Sequence, residues 1–112
     1  PHNTIPIDES GYKTIDCSSY VSWVCYEYGY KDFKGSQESS DSILSKAREH
    51  NWIIKDASEA VAGDILQRSG HVEIYAGNGK AYNCGGPNSI KADISNSNPS
   101  RFTYAITVTP PK

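Results

Sequence analysis

Methionine is missing altogether from this chain of 112 residues. It therefore has no initiator and is expected to be a processed product or a piece of something longer, from which a leader could have been lost. Cysteine is scarce. Cys17, Cys25 and Cys84 make an odd count without CxxC spacing, which argues against a zinc site and against a fully paired disulfide framework, so at least one thiol should be free. Charge of one sign is also in short supply. The net charge is −2 with lysines and arginines scattered along the chain, which leaves no electrostatic footprint for nucleic acid. No apolar stretch approaches the ~20 residues of a membrane span, and no charged-then-apolar leader opens the chain. The expectation is a soluble protein without a membrane span.

What is present suits one core. A chain 37% hydrophobic and 21% charged fits a single domain over residues 1–112, so one site must carry the function. Residues 1–15 hold Pro1, Pro6 and Gly11 among polar neighbours and read as an irregular lead-in. From Cys17 onward, Tyr20, Val21, Val24, Cys25 and Tyr28 recur at three- and four-residue steps. That is the stripe of an amphipathic helix, with Asp16 as N-cap and Gly29 where it should stop. A second helical pattern carries Ile43, Leu44 and Ala47, capped by Ser39 or Ser40 and ending near His50 or Asn51.

The period then changes. Ile65 and Leu66, then Val72, Ile74 and Ala76, then Ala81 and Tyr82 predict three strands of an antiparallel meander, with "GNG" at 77–79 as a tight turn. Residues 85–100 read as a surface loop, after which "FTYAITVT" predicts a closing strand. Helices first and strands afterwards mean α+β.

Chemistry enters with Cys17. A thiol attacks as thiolate, and both a helix N-terminus and a nearby imidazolium lower a cysteine pKa from ~8.5. Of the three histidines, His2 lies in the lead-in and His50 at a helix end, common places for solvated rings. His71 follows Gly70 and begins a strand, so its ring is expected at the sheet's end, facing a helix packed on that sheet. A third group must orient the imidazole, and an amide carbonyl serves as well as a carboxylate. Pairing about the "GNG" turn sets residue numbers summing to about 156 opposite each other, and 71 + 83 = 154, so Asn83 falls within about one pair of His71. The bland alternatives are a packed cysteine, a structural histidine and a turn asparagine. For Cys25, inside the helical stripe, packing is the reading adopted.

"DCSSYVSWV" followed by "AGDILQRSGHVEIYAGNGKAYN" resembles the signature of the NlpC family of papain-like cell-wall cysteine peptidases. In that family an Asp-Cys-Ser opens the catalytic helix, and a Gly-Asp-Leu strand precedes a Gly-His-Val strand. The resemblance spans roughly residues 15–84. It implies a papain-like α+β fold with N-terminal helices on an antiparallel sheet and the nucleophile at a helix N-terminus. Cys17 would be the nucleophile, His71 the base, and Asn83 the polar residue orienting the ring, a position often filled by histidine in the family. The implied substrate is the peptide stem of bacterial peptidoglycan, cut between D-glutamate and a diamino acid, without metal or organic cofactor. Asp16 would hold the free amine of the stem's first alanine while also capping the helix, and Ser18 completes the substrate-side Asp-Cys-Ser.

Two features depart from the family. Its Pro-Tyr about a dozen residues before the cysteine, whose hydroxyl lies near the oxyanion, has no clean counterpart. The chain offers "PHN" at 1–3 and a tyrosine only at Tyr12. The position after Val72, usually tiny, is Glu73, on the same strand face as His71 by the two-residue period. Glu73 either lines the pocket and attracts a substrate amine or points to solvent at the sheet's margin. The expectation is thus a secreted or cell-envelope cysteine peptidase, monomeric, with possible wall-binding domains outside this chain. An N-acetylmuramoyl-L-alanine amidase with the same dyad and a non-catalytic wall-binding module are the rivals.

Overall fold

The computed structural model describes residues 17–33, 38–84 and 92–111, with only the backbone described at 17–19, 83–84 and 92–95. Helix α1 runs Cys17–Tyr28 and α2 Ser40–Glu49. The strands follow as β1 Ile53–Asp56, β2 Ile65–Arg68, β3 His71–Gly77, β4 Lys80–Cys84, β5 Ala92–Asn96 and β6 Tyr104–Thr107. Among the described residues they form one antiparallel sheet in the order β1-β6-β2-β3-β4-β5. The expected α+β order therefore holds, with both helices ahead of every strand. The lead-in falls outside the described residues.

Two expectations change. Within 85–100, residues Ala92–Asn96 form β5, paired along β4 from Cys84↔Ala92 to Lys80↔Asn96, so that part of the expected surface loop is a strand. Ile53–Asp56 adds β1, paired with β6. Both strands lie at the edges of the sheet, where a strand pairs on one side only and needs few apolar residues.

Local chemistry sets the boundaries. The Ser39 hydroxyl accepts from the Ser42 N–H at 3.1 Å and caps α2, satisfying a donor that the first turn leaves orphaned. At the other end of α1 the Tyr30 N–H donates to the Cys25 carbonyl at 3.0 Å, closing the helix through Gly29 at φ 125°, a conformation open to glycine. A Cβ there would also meet Pro111 Cγ at 2.7 Å. The "GNG" turn is as expected. Gly77 pairs with Lys80 across Asn78 and Gly79, both at positive φ, which suits the right-handed twist of a hairpin.

The main core lies between the helices and one face of the sheet. Val21, Cys25, Phe33, Ile43, Ala47 and Trp52 pack with Ile65, Val72, Ile74 and Ile106. Each fully buried large side chain of this set contributes roughly 1.5–3 kcal/mol. Tyr28, expected on the same stripe, is half exposed instead. The other sheet face holds a smaller cluster of Ala57, Leu66 and Ala105 with Tyr75 and Phe102 against it.

Asp64, just ahead of β2, ties three elements together. Its carboxylate accepts from Lys55 Nζ at 2.8 Å, from the Val61 N–H at 3.0 Å and from Thr107 Oγ1 at 2.7 Å. Burial pushes its pKa up, but the donors from Lys55, Val61 and Thr107 outweigh that and hold it below the ordinary carboxylate value.

Candidate functional site

The β2–β3 hairpin sets the site. Its register is Ile65↔Ile74, Leu66↔Glu73, Gln67↔Val72 and Arg68↔His71, with Ser69 and Gly70 at the turn. Alternation along β3 sends Val72 and Ile74 into the core beneath α1 and His71 and Glu73 to the opposite face. There the His71 ring stacks on Phe102 at 5.7 Å between centroids, and Phe102 packs on the second cluster. The expectation that His71 faces the helix on the sheet is therefore corrected. Two apolar residues at 72 and 74 claim the helix side and leave 71 and 73 for the other.

His71 and α1 are nevertheless linked through β3. The C-terminal half of α1, with Val24, Cys25 and Tyr28, borders a cavity shared with Ile65, Ile74 and Thr107. α1 packs against β3, the strand that His71 opens, and against β4.

Around His71 the polar groups converge. His71 Nε2 lies 3.4 Å from Glu73 Oε2, and the other carboxylate oxygen accepts from Ser97 Oγ at 2.7 Å. The Glu73 side chain is only 13% exposed, so it is held between two partners instead of pointing to solvent. Arg68 stacks over Phe102, its guanidinium carbon 5.9 Å from the ring centroid. These side chains, with Asn96 and Arg101, line a cavity of about 350 Å³. Arg68, Ser97 and Arg101 were not foreseen as site residues. Arg68 was within reach, because a two-residue turn pairs it directly with His71, whereas Ser97 and Arg101 arrive from distant chain with no local signal.

Cys17 is the first residue of α1. The side chains of Cys17, Ser18 and Cys84 lie outside the described residues, as do Tyr12 and Asp16 entirely. Asn83 stands on β4 opposite Asp93 of β5, its side chain likewise outside. The pairs Ile74↔Tyr82 and Tyr75↔Ala81 both sum to 156, so the same register carried on sets Asn83 opposite Glu73.

Cys25 is described in full. It is 2% exposed, and its thiol is pushed up to about 12, by burial first and then by the Asp32 charge, against an opposing pull from Lys46. It is protonated at neutral pH and poorly placed to react. His50 is not the solvated ring expected either, since its Nε2 lies 2.9 Å from Asp32 Oδ2, it stacks with Trp52 and it meets the Tyr30 ring at a tilt.

Among the described residues, no three His, Cys, Asp or Glu side chains converge as a metal ion would require, and no helix is long and apolar enough to cross a membrane. Comparison with protein-family models, with curated proteins and with solved structures finds no match to the chain.

Proposed function

We propose that this chain is a secreted or cell-envelope cysteine peptidase of NlpC type with a papain-like fold. In this proposal it hydrolyses the peptide stems of bacterial peptidoglycan at the bond between D-glutamate and the diamino acid. The observation that carries the proposal is that the two residues open two elements packed on each other. Cys17 opens α1, and α1 packs against β3, the strand that His71 opens. A helix N-terminus favours thiolate through its oriented backbone dipoles.

Cys17 thiolate attacks the scissile carbonyl, and the developing oxyanion is held by backbone N–H groups of the first turn of α1. His71 protonates the leaving amine, the thioacyl intermediate forms, and His71 then takes a proton from water as it attacks. The new carboxyl leaves and Cys17 is restored. Asn83 orients the ring, while Asp16, Ser18, Tyr12 and Glu73 form the substrate-side shell.

For Cys17 and His71 to meet, the imidazole must turn over the end of the sheet toward α1. His71 is the terminal residue of β3, its side chain is 32% exposed, and its contact with Glu73 is long at 3.4 Å. The turn gives up one stacking contact and one partly exposed ion pair, together about 1–2 kcal/mol, which substrate binding can offset.

Purified sacculi treated with the protein should release fragments whose new termini are a D-glutamyl carboxyl and the amine of the diamino acid. The Cys17→Ala variant should release none. New L-alanine amino termini would identify the rival amidase, which would use the same dyad, and no release by the unsubstituted chain would defeat the proposal in favour of a wall-binding module.

A further inference from the structure

We infer that the cavity beside His71 recognises a carboxylate of the substrate peptide through Arg68 and Arg101, with Phe102 as its apolar floor. The peptide's identity rests on the peptidase proposal; the preference for carboxylate does not.

The charge pattern of the molecule supports this. Among the described residues, Lys46 pairs with Glu38, Lys55 with Asp64 and His50 with Asp32, while Arg68 and Arg101, like Lys31, Arg48 and Lys80, have no carboxylate partner. Yet both arginines line the same cavity of about 350 Å³. Glu73, the one acid lining it among the described residues, already accepts from Ser97 and faces His71 with its other oxygen. Its charge is thus engaged with Ser97 and His71, and the described lining carries two guanidinium groups against one carboxylate.

The arginines are also partly positioned before any ligand arrives. Arg68 is stacked on Phe102, and Arg101 closes a single 3-10 turn, Pro99–Arg101, in which the Asn98 side chain accepts from the Ser100 N–H and the Asn98 carbonyl from the Arg101 N–H. Stacking and a fixed backbone reduce the side-chain entropy lost when a guanidinium is immobilised. Lys80 Nζ donates to Asn96 Oδ1 at 2.6 Å, so the NH₂ of Asn96 is the end of that amide left to donate. Planar forks and an amide NH₂ match the two in-plane oxygens of a carboxylate. A D-glutamyl residue joined through its side chain carries such a group, a free α-carboxylate, next to the bond proposed to be cut.

The test is titration calorimetry on the full chain carrying Cys17→Ala, so that nothing is turned over. One probe is L-alanyl-γ-D-glutamyl-L-lysine amide and the other its α-carboxamide counterpart. The acid should bind about tenfold more tightly, as expected for one charge-assisted contact beyond the neutral amide. Raising salt should shrink the difference. Arg68→Gln and Arg101→Gln should each weaken the acid about three- to tenfold and leave the carboxamide unchanged. Equal affinity for the two probes, no binding of either, a preference that survives both substitutions, or equal competition by inorganic phosphate at matched ionic strength would overturn the inference. The two proposals fail separately. Discrimination by a chain that cuts no sacculi would sink the peptidase and keep the site, while a chain that cuts acid and carboxamide peptides equally well would do the reverse.

Discussion

Asp64 and Glu73 are two carboxylates on one sheet, and their surroundings differ in a way that separates what holds the fold from what is left for chemistry. Asp64 is 2% exposed, while Glu73 is 13% exposed. Asp64 has three donors, Lys55 on β1, Thr107 on β6 and Val61 in the loop just before Asp64, and its capacity is used within the protein. Glu73 has one hydroxyl and one long contact to His71, and it borders a cavity that also holds two arginines. A saturated buried charge costs dearly when its set is broken, because the partners left behind cannot find water. An open network costs little to break and is free to rearrange around a ligand. The Asp64 region should therefore respond to substitution in stability, and the His71–Glu73 region in activity.

The contrast is sharpest at His71. On the proposed mechanism His71→Ala should bring turnover of a stem peptide to near background, like Cys17→Ala, because a nucleophile and its base act as one unit and their losses do not add. Its denaturant midpoint should move little, since the ring is a third exposed and rests on one aromatic neighbour. A variant that is active, or one that is inactive only because it has unfolded, would break the comparison from the functional side.

Asp64→Ala tests the other side. It leaves the Lys55 ammonium, the Val61 N–H and the Thr107 hydroxyl without their acceptor, and the expected loss is about 3 kcal/mol in urea unfolding. The native pKa of Asp64 lies below its ordinary value. The carboxylate's contribution is therefore fully present above about pH 4, near the unfolded value, and is lost as pH falls through the lower native one. Stability of the unsubstituted chain should drop in that acid range more steeply than that of Asp64→Ala. Parallel acid profiles would show that Asp64 does not hold the sheet as described.

The smallest effect belongs to Glu73→Gln, which keeps an acceptor for Ser97 and gives up only the long contact to His71. Its stability should stay within about 1 kcal/mol of the original. A loss as large as that of Asp64→Ala would erase the distinction between the two carboxylates.

Much of this was legible in the sequence, for reasons that can be located. The α1 stripe with Gly29, the Ser39 cap and the "GNG" turn are local signals, each set by the residues that form them. β1 and β5 were missed because edge strands need no second row of apolar contacts: Ala92 and Ile94 are the sole apolar residues of β5. The face of His71 was in fact written in the alternation, since Val72 and Ile74 could go only to the helix side, and chemistry had suggested the opposite. The partners that hold Glu73 and Asp64 were not legible. Ser97 lies 24 residues from Glu73 and Thr107 lies 43 from Asp64, so only the closed sheet brings them together.

The central claim is that Cys17 and His71 act together although His71 rests on the sheet face turned away from α1. Alkylation by iodoacetamide between pH 6 and 8, with the modified cysteine mapped by mass spectrometry, tests it directly. Cys17 should react faster than free cysteine at neutral pH, Cys25 with its thiol pushed up to about 12 should stay unmodified, and His71→Ala should slow Cys17 and shift its profile to higher pH. A Cys17 rate equal to that of free cysteine, or a profile unchanged by His71→Ala, would contradict the dyad.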